Sequence, residues 1–274
     1  MELKDRVAII TGAGSGIGRT LALEFARQGA SVVCCGRRLD RLQETLALIE
    51  KERGKGLAVQ TDVTDRSQVD RLVQTTLDRF GGVDVLFNNA GSFNAIGGLW
   101  EIDPEVWWND VANNLRGSML TSRAVLPVMM ARDRGVILNM NGGGSTYPLP
   151  GGAAYGSSKA ALLRFTETLA LELERVGSHV LVVAMGPGFV RTEMTELQAD
   201  TEAGRKWIPS SGEALAAGKS RPPEDCARST VELLRWINPT FNGRIFGVGM
   251  NFEEVAQRLA SPQTKDALLM RMVP

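Results

Sequence analysis

Short apolar runs alternate with amphipathic stretches through the first third of the chain. Arg6–Ile10 is apolar after its first residue and runs into glycines, so it reads as a buried strand. From Gly16 to Gln28, Ile17, Leu21, Leu23, Phe25 and Ala26 recur at helical spacing, and Gly29 stops the helix. Ser31–Cys35 is a second strand, and Leu39–Arg53 a second helix closed by Gly54. Leu57–Gln60 is a third strand, residues 67–80 a third helix, and Val83–Phe87 a fourth strand. Strictly alternating strands and helices predict a parallel sheet covered by helices on both faces.

The second half continues the alternation. Residues 103–130 read as helical, with Pro127 expected to end or kink the helix. Gly135–Met140, His179–Ala184 and Arg244–Val248 complete a set of seven strands. Helices are expected over residues 155–176 and 224–237, and in the tail 251–274 as far as Leu259. Residues 186–222 are rich in Gly, Pro, Ser and Thr with weak periodicity, so they read as a substrate loop or lid. The tail is expected to cover a pocket or a subunit interface. No repeat or linker divides residues 1–274, which argues for a single domain.

Charge and cysteine usage narrow the classes. The 31 basic and 31 acidic side chains cancel, which argues against bulk binding to nucleic acid or an anionic membrane. No apolar run reaches the ~20 residues that span a bilayer. The first residues lack a basic segment followed by an apolar one, so no secretory signal is expected and the cytoplasm is the default compartment. Cys34, Cys35 and Cys226 are an odd set for disulfides. Cys34 and Cys35 should point to opposite faces of their strand. The single histidine, His179, cannot supply a metal cluster and is expected at the start of a strand.

Chemistry enters where the first strand meets the first helix. Thr11-Gly12-Ala13-Gly14-Ser15-Gly16-Ile17-Gly18 lies between them. Glycine lets the backbone turn tightly and approach a phosphate, and a helix N-terminus offers free N–H groups. The Gly12, Gly16, Gly18 spacing differs from the commoner Gly-x-Gly-x-x-Gly fingerprint. Asp62-Val63 follows the third strand, Asn88-Asn89-Ala90-Gly91 the fourth, and Asn114-Leu115-Arg116-Gly117 lies on the next helix. Tyr155-Gly156-Ser157-Ser158-Lys159 opens the long helix, and Pro187-Gly188-Phe189-Val190-Arg191-Thr192 follows the sixth strand. In this order the motifs resemble the short-chain dehydrogenase/reductase family, in its compact single-domain branch, over about residues 5 to 250.

The resemblance implies a Rossmann-like, doubly wound α/β fold and a nicotinamide cofactor. It places Gly12, Ser15, Gly16, Ile17 and Gly18 against the pyrophosphate. It sets Asp62, Val63, Asn89, Ala90, Gly91, Pro187 and Gly188 beside the cofactor, with Val190 and Thr192 on the carboxamide. Gly36 stands where NAD-preferring relatives carry Asp, and Arg37 and Arg38 follow it. An acid there would repel a 2′-phosphate, whereas an arginine suits one. NADP(H) is therefore expected, with NAD(H) as the alternative. The resemblance also implies a homodimer or homotetramer through helices 103–130 and 155–176.

Tyr155 and Lys159, four residues apart, share one helical face. A phenol titrates near pH ~10, and a neighbouring ammonium lowers that value. In the family the tyrosine exchanges a proton with the substrate oxygen while hydride moves at the nicotinamide. The lysine tunes it and holds the ribose, and an asparagine, here Asn114, supports a water-linked proton path. The serine usually found thirteen residues before the tyrosine is Gly142 here. Ser145, then Asn141, then a backbone N–H of the triglycine run are the candidate replacements, and a serine restored at Gly142 is the obvious repair. Phe93, Tyr147 and Phe189, with Trp100, Leu149, Met194 and Trp207, suggest a bulky apolar or aromatic carbonyl or alcohol as the small-molecule substrate. Arg191, Glu193 and Arg205 leave room for a polar substituent. The reading is an oxidoreductase interconverting an alcohol and a carbonyl. The alternative is a non-catalytic NADP(H) sensor or scaffold, suggested by Gly142. Spacing in the Tyr155/Lys159 pair argues against enoyl reduction.

Overall fold

Seven parallel strands form one sheet in a computed structural model that describes residues 1–261 and 266–270. They are β1 (Val7–Thr11), β2 (Ser31–Gly36), β3 (Lys55–Gln60), β4 (Val85–Asn88), β5 (Val136–Met140), β6 (Leu181–Gly186) and β7 (Ile245–Gly247). Their spatial order is β3-β2-β1-β4-β5-β6-β7. The order reverses between β1 and β4, and in open α/β sheets the crevice at such a switch point is where ligands bind.

The inner strands are apolar nearly throughout because helices cover both faces. On one face α1 (Gly16–Arg27), α2 (Leu39–Lys51) and α10 (Pro223–Trp236) bury Leu21, Phe25, Leu42 and Leu234 against Ala8, Ile10 and Cys34. On the other, α3 (Arg66–Phe80), α5 (Gly117–Ala131) and α6 (Ala153–Arg175) bury Leu72, Met129 and Leu173 against Ile9 and Cys35. The adjacent cysteines thus serve opposite cores, and burial pushes both thiols up to about 12. Asp65 caps α3, its carboxylate accepting from Ser67 N and Gln68 N.

Three expectations need correction. Pro127 does not end its helix: α5 runs through it to Ala131. Pro127 and Arg123, four residues earlier, both lie on the exposed face, so a carbonyl left without its N–H partner can meet water. The break falls earlier, in a π-helical turn, Ala112–Arg116, between α4 (Pro104–Val111) and α5. Residues 186–222 are not an irregular loop, because they contain α7 (Glu193–Asp200), α8 (Glu202–Trp207) and α9 (Pro209–Ala216). The Thr and Pro residues that looked like loop signals start these helices. Thr192 caps α7, Thr201 caps α8, and Pro209 opens α9. His179 precedes β6, with Nδ1 2.6 Å from Asp133.

In the tail, α11 covers Phe252–Leu259, within the stretch expected to be helical at least to Leu259. Beyond it, Ile245 N donates to Leu268 O at 3.0 Å or less (2.9 Å), and Arg164 donates to Met270 O at 3.1 Å. The described part of the tail therefore lies against the outer strand β7 and against α6. The remaining tail residues lie outside the described ones. No described helix is long and apolar enough to cross a membrane, and no described group of His, Cys, Asp and Glu could hold a metal.

Candidate active site

The turn from β1 into α1 is shaped by close backbone approach. A Cβ at Gly18 would lie 2.2 Å from Gly12 O and 2.5 Å from Asn89 Nδ2, so no larger residue fits there. Gly12 itself has φ +68°, a left-handed conformation that glycine adopts without strain. Ser15 occupies the cap position of α1 but makes no capping bond, which leaves the first-turn N–H groups without a side-chain partner. Thr11 Oγ1 accepts from Asn89 N at 3.0 Å and Ala90 N at 2.9 Å, and Asn89 Nδ2 donates to Thr11 O at 2.9 Å. These bonds tie the end of β1 to the segment after β4, across the switch point.

A cavity of about 760 Å³ opens from this turn. Gly12, Ser15, Gly16, Ile17 and Gly18 line it together with Arg37, Arg38, Asp62 and Val63. So do Asn89, Ala90, Gly91, Pro187, Gly188, Val190 and Thr192. Arg38 donates to Ser15 Oγ at 3.2 Å and pairs with Glu193 at 3.2 Å, linking the phosphate turn to α7. Arg37 is exposed, and its guanidinium makes no ion pair among the described residues.

Tyr155 and Lys159 line the same cavity from the first turns of α6. The Tyr155 ring stacks on Phe93, with centroids 4.4 Å apart and planes within 9°. Lys159 Nζ donates to Met140 O at 2.9 Å and lies 5.5 Å from the Tyr155 ring centroid. Burial lowers Lys159 to about 8. Burial, then the neighbouring Tyr147, raises Tyr155 above the ordinary phenol value.

Asn114 does not reach the cavity. It sits fully buried in the π-helical turn, where Nδ2 donates to Ser92 O at 2.9 Å and Ser158 Oγ at 3.0 Å. Ser158 Oγ donates in turn to Tyr155 O at 2.7 Å, so Asn114 braces the first turn of α6. π-Turns recur at functional sites because they re-aim a helical residue. Its neighbour Asn113 lines the cavity instead.

The triglycine run holds a surprise for the serine question. A Cβ at Gly142 would lie 2.2 Å from Tyr155 Oη, so the phenol occupies the space a serine would need. Restoring serine there therefore does not fit unless Tyr155 moves. Ser145 is buried and does not line the cavity; its Oγ accepts from Asn141 Nδ2 at 2.9 Å. Asn141 does line the cavity, and its buried Oδ1 has no partner. Phe93, Tyr147, Phe189, Leu149 and Met194 form the apolar wall, whereas Trp100 and Trp207 lie outside and contact each other at 5.9 Å. Glu193 lines the cavity, and Arg191 and Arg205 do not.

Two features escaped the sequence reading. Asp110 is fully buried, accepting from Ser92 Oγ at 2.6 Å, Asn94 N at 2.7 Å and Ala95 N at 2.8 Å, so it holds the segment carrying Phe93. Nothing local distinguishes it from a solvent-facing helix acid. Asn88 and Asn139 interrupt apolar strands, which was a usable signal: Asn88 Nδ2 donates to Asn139 Oδ1 at 2.9 Å, and Asn139 Nδ2 to Thr166 Oγ1 at 2.9 Å.

The profile of the short chain dehydrogenase family matches residues 6–203. The chain belongs to this family. A short chain dehydrogenase from Pseudocercospora fijiensis is 38% identical over 195 residues, which span 70% of this chain and 62% of that relative. A crystal structure of an actinorhodin polyketide ketoreductase variant with NADPH superposes with a TM-score of 0.79 at 28% identity, covering 89% of this chain and 95% of that one. A short chain dehydrogenase/reductase from Burkholderia phymatum in complex with NAD gives 0.80 at 26% identity, covering 100% of both chains. The sheet, its strand order and the cavity at the switch point are those of the family's Rossmann-like fold, and a nicotinamide cofactor goes with it.

Proposed function

We propose that this short chain dehydrogenase interconverts an alcohol and a ketone or aldehyde, with NADP(H) preferred over NAD(H). One observation carries the reading: Tyr155 and Lys159 line the same cavity as the glycine turn of α1. The turn fits a dinucleotide, since glycine at 18 lets α1 start close against Gly12 and the α1 amides lack side-chain partners. When bound, the nicotinamide supplies or takes up the hydride. Gly12, Gly16, Gly18 and the α1 amides would hold its pyrophosphate, and Asn89, Val190 and Thr192 its further parts.

Tyr155 keeps its proton at neutral pH because burial disfavours the phenolate. It therefore donates from Oη to the substrate oxygen in the reducing direction. A charged Lys159 stabilises the phenolate left behind. Lys159 is held in place by Met140 O, and Asn114 acts through Ser158 on the Tyr155 backbone. Phe93 and Asp110 keep the phenol ring and its supporting segment in place.

Arg37 supports NADP(H): it lines the cavity at the end of β2, no acid stands at Gly36, and Arg38 is engaged by Glu193. The wall of Phe93, Tyr147, Leu149 and Phe189 supports a bulky apolar or aromatic substrate, as does the polyketide ketoreductase among the similar structures. Exposed Trp108, Leu171 and Val176 support self-association through α4–α6 as a homodimer or homotetramer.

The test is NADPH consumption against a panel of bulky aromatic and cyclic ketones, with Tyr155→Phe in parallel. Loss of general acid catalysis should lower turnover about 100- to 10,000-fold while NADPH binding persists. A Tyr155→Phe variant as fast as wild type overturns the reading.

A further inference from the structure

The family's serine normally donates a hydrogen bond to the substrate oxygen beside the tyrosine, and this chain must supply that donor elsewhere. Gly142 cannot, because Tyr155 Oη sits 2.2 Å from where its Cβ would be. Ser145 does not line the cavity, and its hydroxyl is engaged by Asn141 Nδ2 at 2.9 Å. Asn141 spends one N–H on that bond, and its unpartnered buried atom is an oxygen, which accepts but does not donate.

Tyr147 is differently placed. Its Oη lies 2.7 Å from the position of a Cβ on Gly143, one residue from the glycine that carries Tyr155 Oη. Gly142 and Gly143 thus each leave room for one phenol oxygen, and these are the chain's only two tyrosines. Both line the cavity. Tyr147 makes no hydrogen bond among the described residues, so its O–H is free to donate. After burial, Tyr147 is the largest influence raising the Tyr155 phenol.

We infer that Tyr147 is a second catalytic residue, whose hydroxyl donates a hydrogen bond to the substrate oxygen in place of the missing serine. Tyr155 transfers the proton, and Tyr147 stabilises the negative charge that builds on that oxygen. No bond to Tyr147 forms or breaks. The absence of a Cβ at Gly142 and at Gly143 leaves space for the two phenol oxygens at neighbouring residues. This role rests on the carbonyl-reduction reading above.

The test uses Tyr147→Phe, which keeps the ring and removes the donor. On the ketone that wild type reduces fastest, kcat should fall about 100- to 1000-fold, the usual effect of losing one oxyanion donor. KM and NADPH binding, followed by cofactor fluorescence, should change little. Ser145→Ala should stay near wild type. An infrared readout avoids turnover: carbonyl-labelled acetophenone is bound with NADP⁺ to Tyr155→Phe and to Tyr155→Phe/Tyr147→Phe. Its carbonyl stretch should rise in the double variant as the donor is lost. A Tyr147→Phe enzyme with wild-type kcat, or an unmoved carbonyl stretch, overturns the inference while leaving Tyr155 untouched. A Tyr155→Phe enzyme with full activity overturns the underlying reading instead.

Discussion

The glycines of the cofactor turn and those of the triglycine run do opposite things with the same missing side chain. At Gly18 an added Cβ would strike backbone, 2.2 Å from Gly12 O. At Gly143 it would meet the tip of Tyr147, 2.7 Å from Oη. At Gly18 chain packs on chain, with no freedom to yield. The Tyr147 tip is exposed and can swing, unlike Tyr155, which stacks on Phe93. One glycine fixes the backbone of its turn, and the other leaves a cavity-lining side chain adjustable.

The largest expected effect tests that contrast directly. Gly18→Ala should cost about 3 kcal/mol or more by overpacking against backbone, and Gly143→Ala well under about 1 kcal/mol, since a side-chain tip can move. Urea unfolding of the two variants reads the difference, and equal losses would break the comparison. Lys159, between the two regions, gives the next. Its buried pKa of about 8 lies below the unfolded value of about 10.4, so between these the unfolded chain binds more protons and stability rises with pH. Below about pH 8 the buried ammonium costs on the order of 3 kcal/mol, a cost absent from Lys159→Met. The stability advantage of that variant should therefore shrink from pH ~7 to pH ~10. A constant difference across the range refutes it.

On the cofactor side alone, Arg37→Ala should weaken NADPH binding about 10- to 100-fold, as expected for a charge-assisted contact, with NADH binding unchanged. Titration calorimetry with both cofactors decides, and a matching loss for NADH argues against Arg37 as the phosphate contact. The smallest effect belongs to Glu193→Gln. Arg38 and Glu193 are both exposed, so breaking their pair should cost less than about 1 kcal/mol, and less still in salt.

The sheet and most helices were legible because each is short, periodic and bounded by glycine. The glycine turn between β1 and α1 was legible for the same reason: its shape follows from local backbone. What the chain order hid were relations across space. Pro127 looked like a break because its exposed setting on α5 was not visible. Thr192 and Thr201 looked like loop residues because helices of eight and six residues carry too few turns to show a period. Gly142 read as a lost donor, whereas packing makes it room for Tyr155. Ser145 looked closest to a replacement in sequence, yet Asn141 holds it out of the cavity. Asp110 gave no signal, because its importance lies in the backbone N–H groups of Asn94 and Ala95.

The paired asparagines at the centre of the sheet bear on how the chain finds its alignment. Asn88 and Asn139 are opposite one another in the β4–β5 register, where Asn88 donates to Asn139 and Asn139 donates in turn to Thr166. Sliding β5 by a single residue would turn the Asn139 amide away from both Asn88 and Thr166, burying it without those partners. An apolar pair at these positions would tolerate such a slip far better. The pair therefore penalises misalignment of β4 and β5, the strands that run into the cavity-lining Asn89 and Asn141.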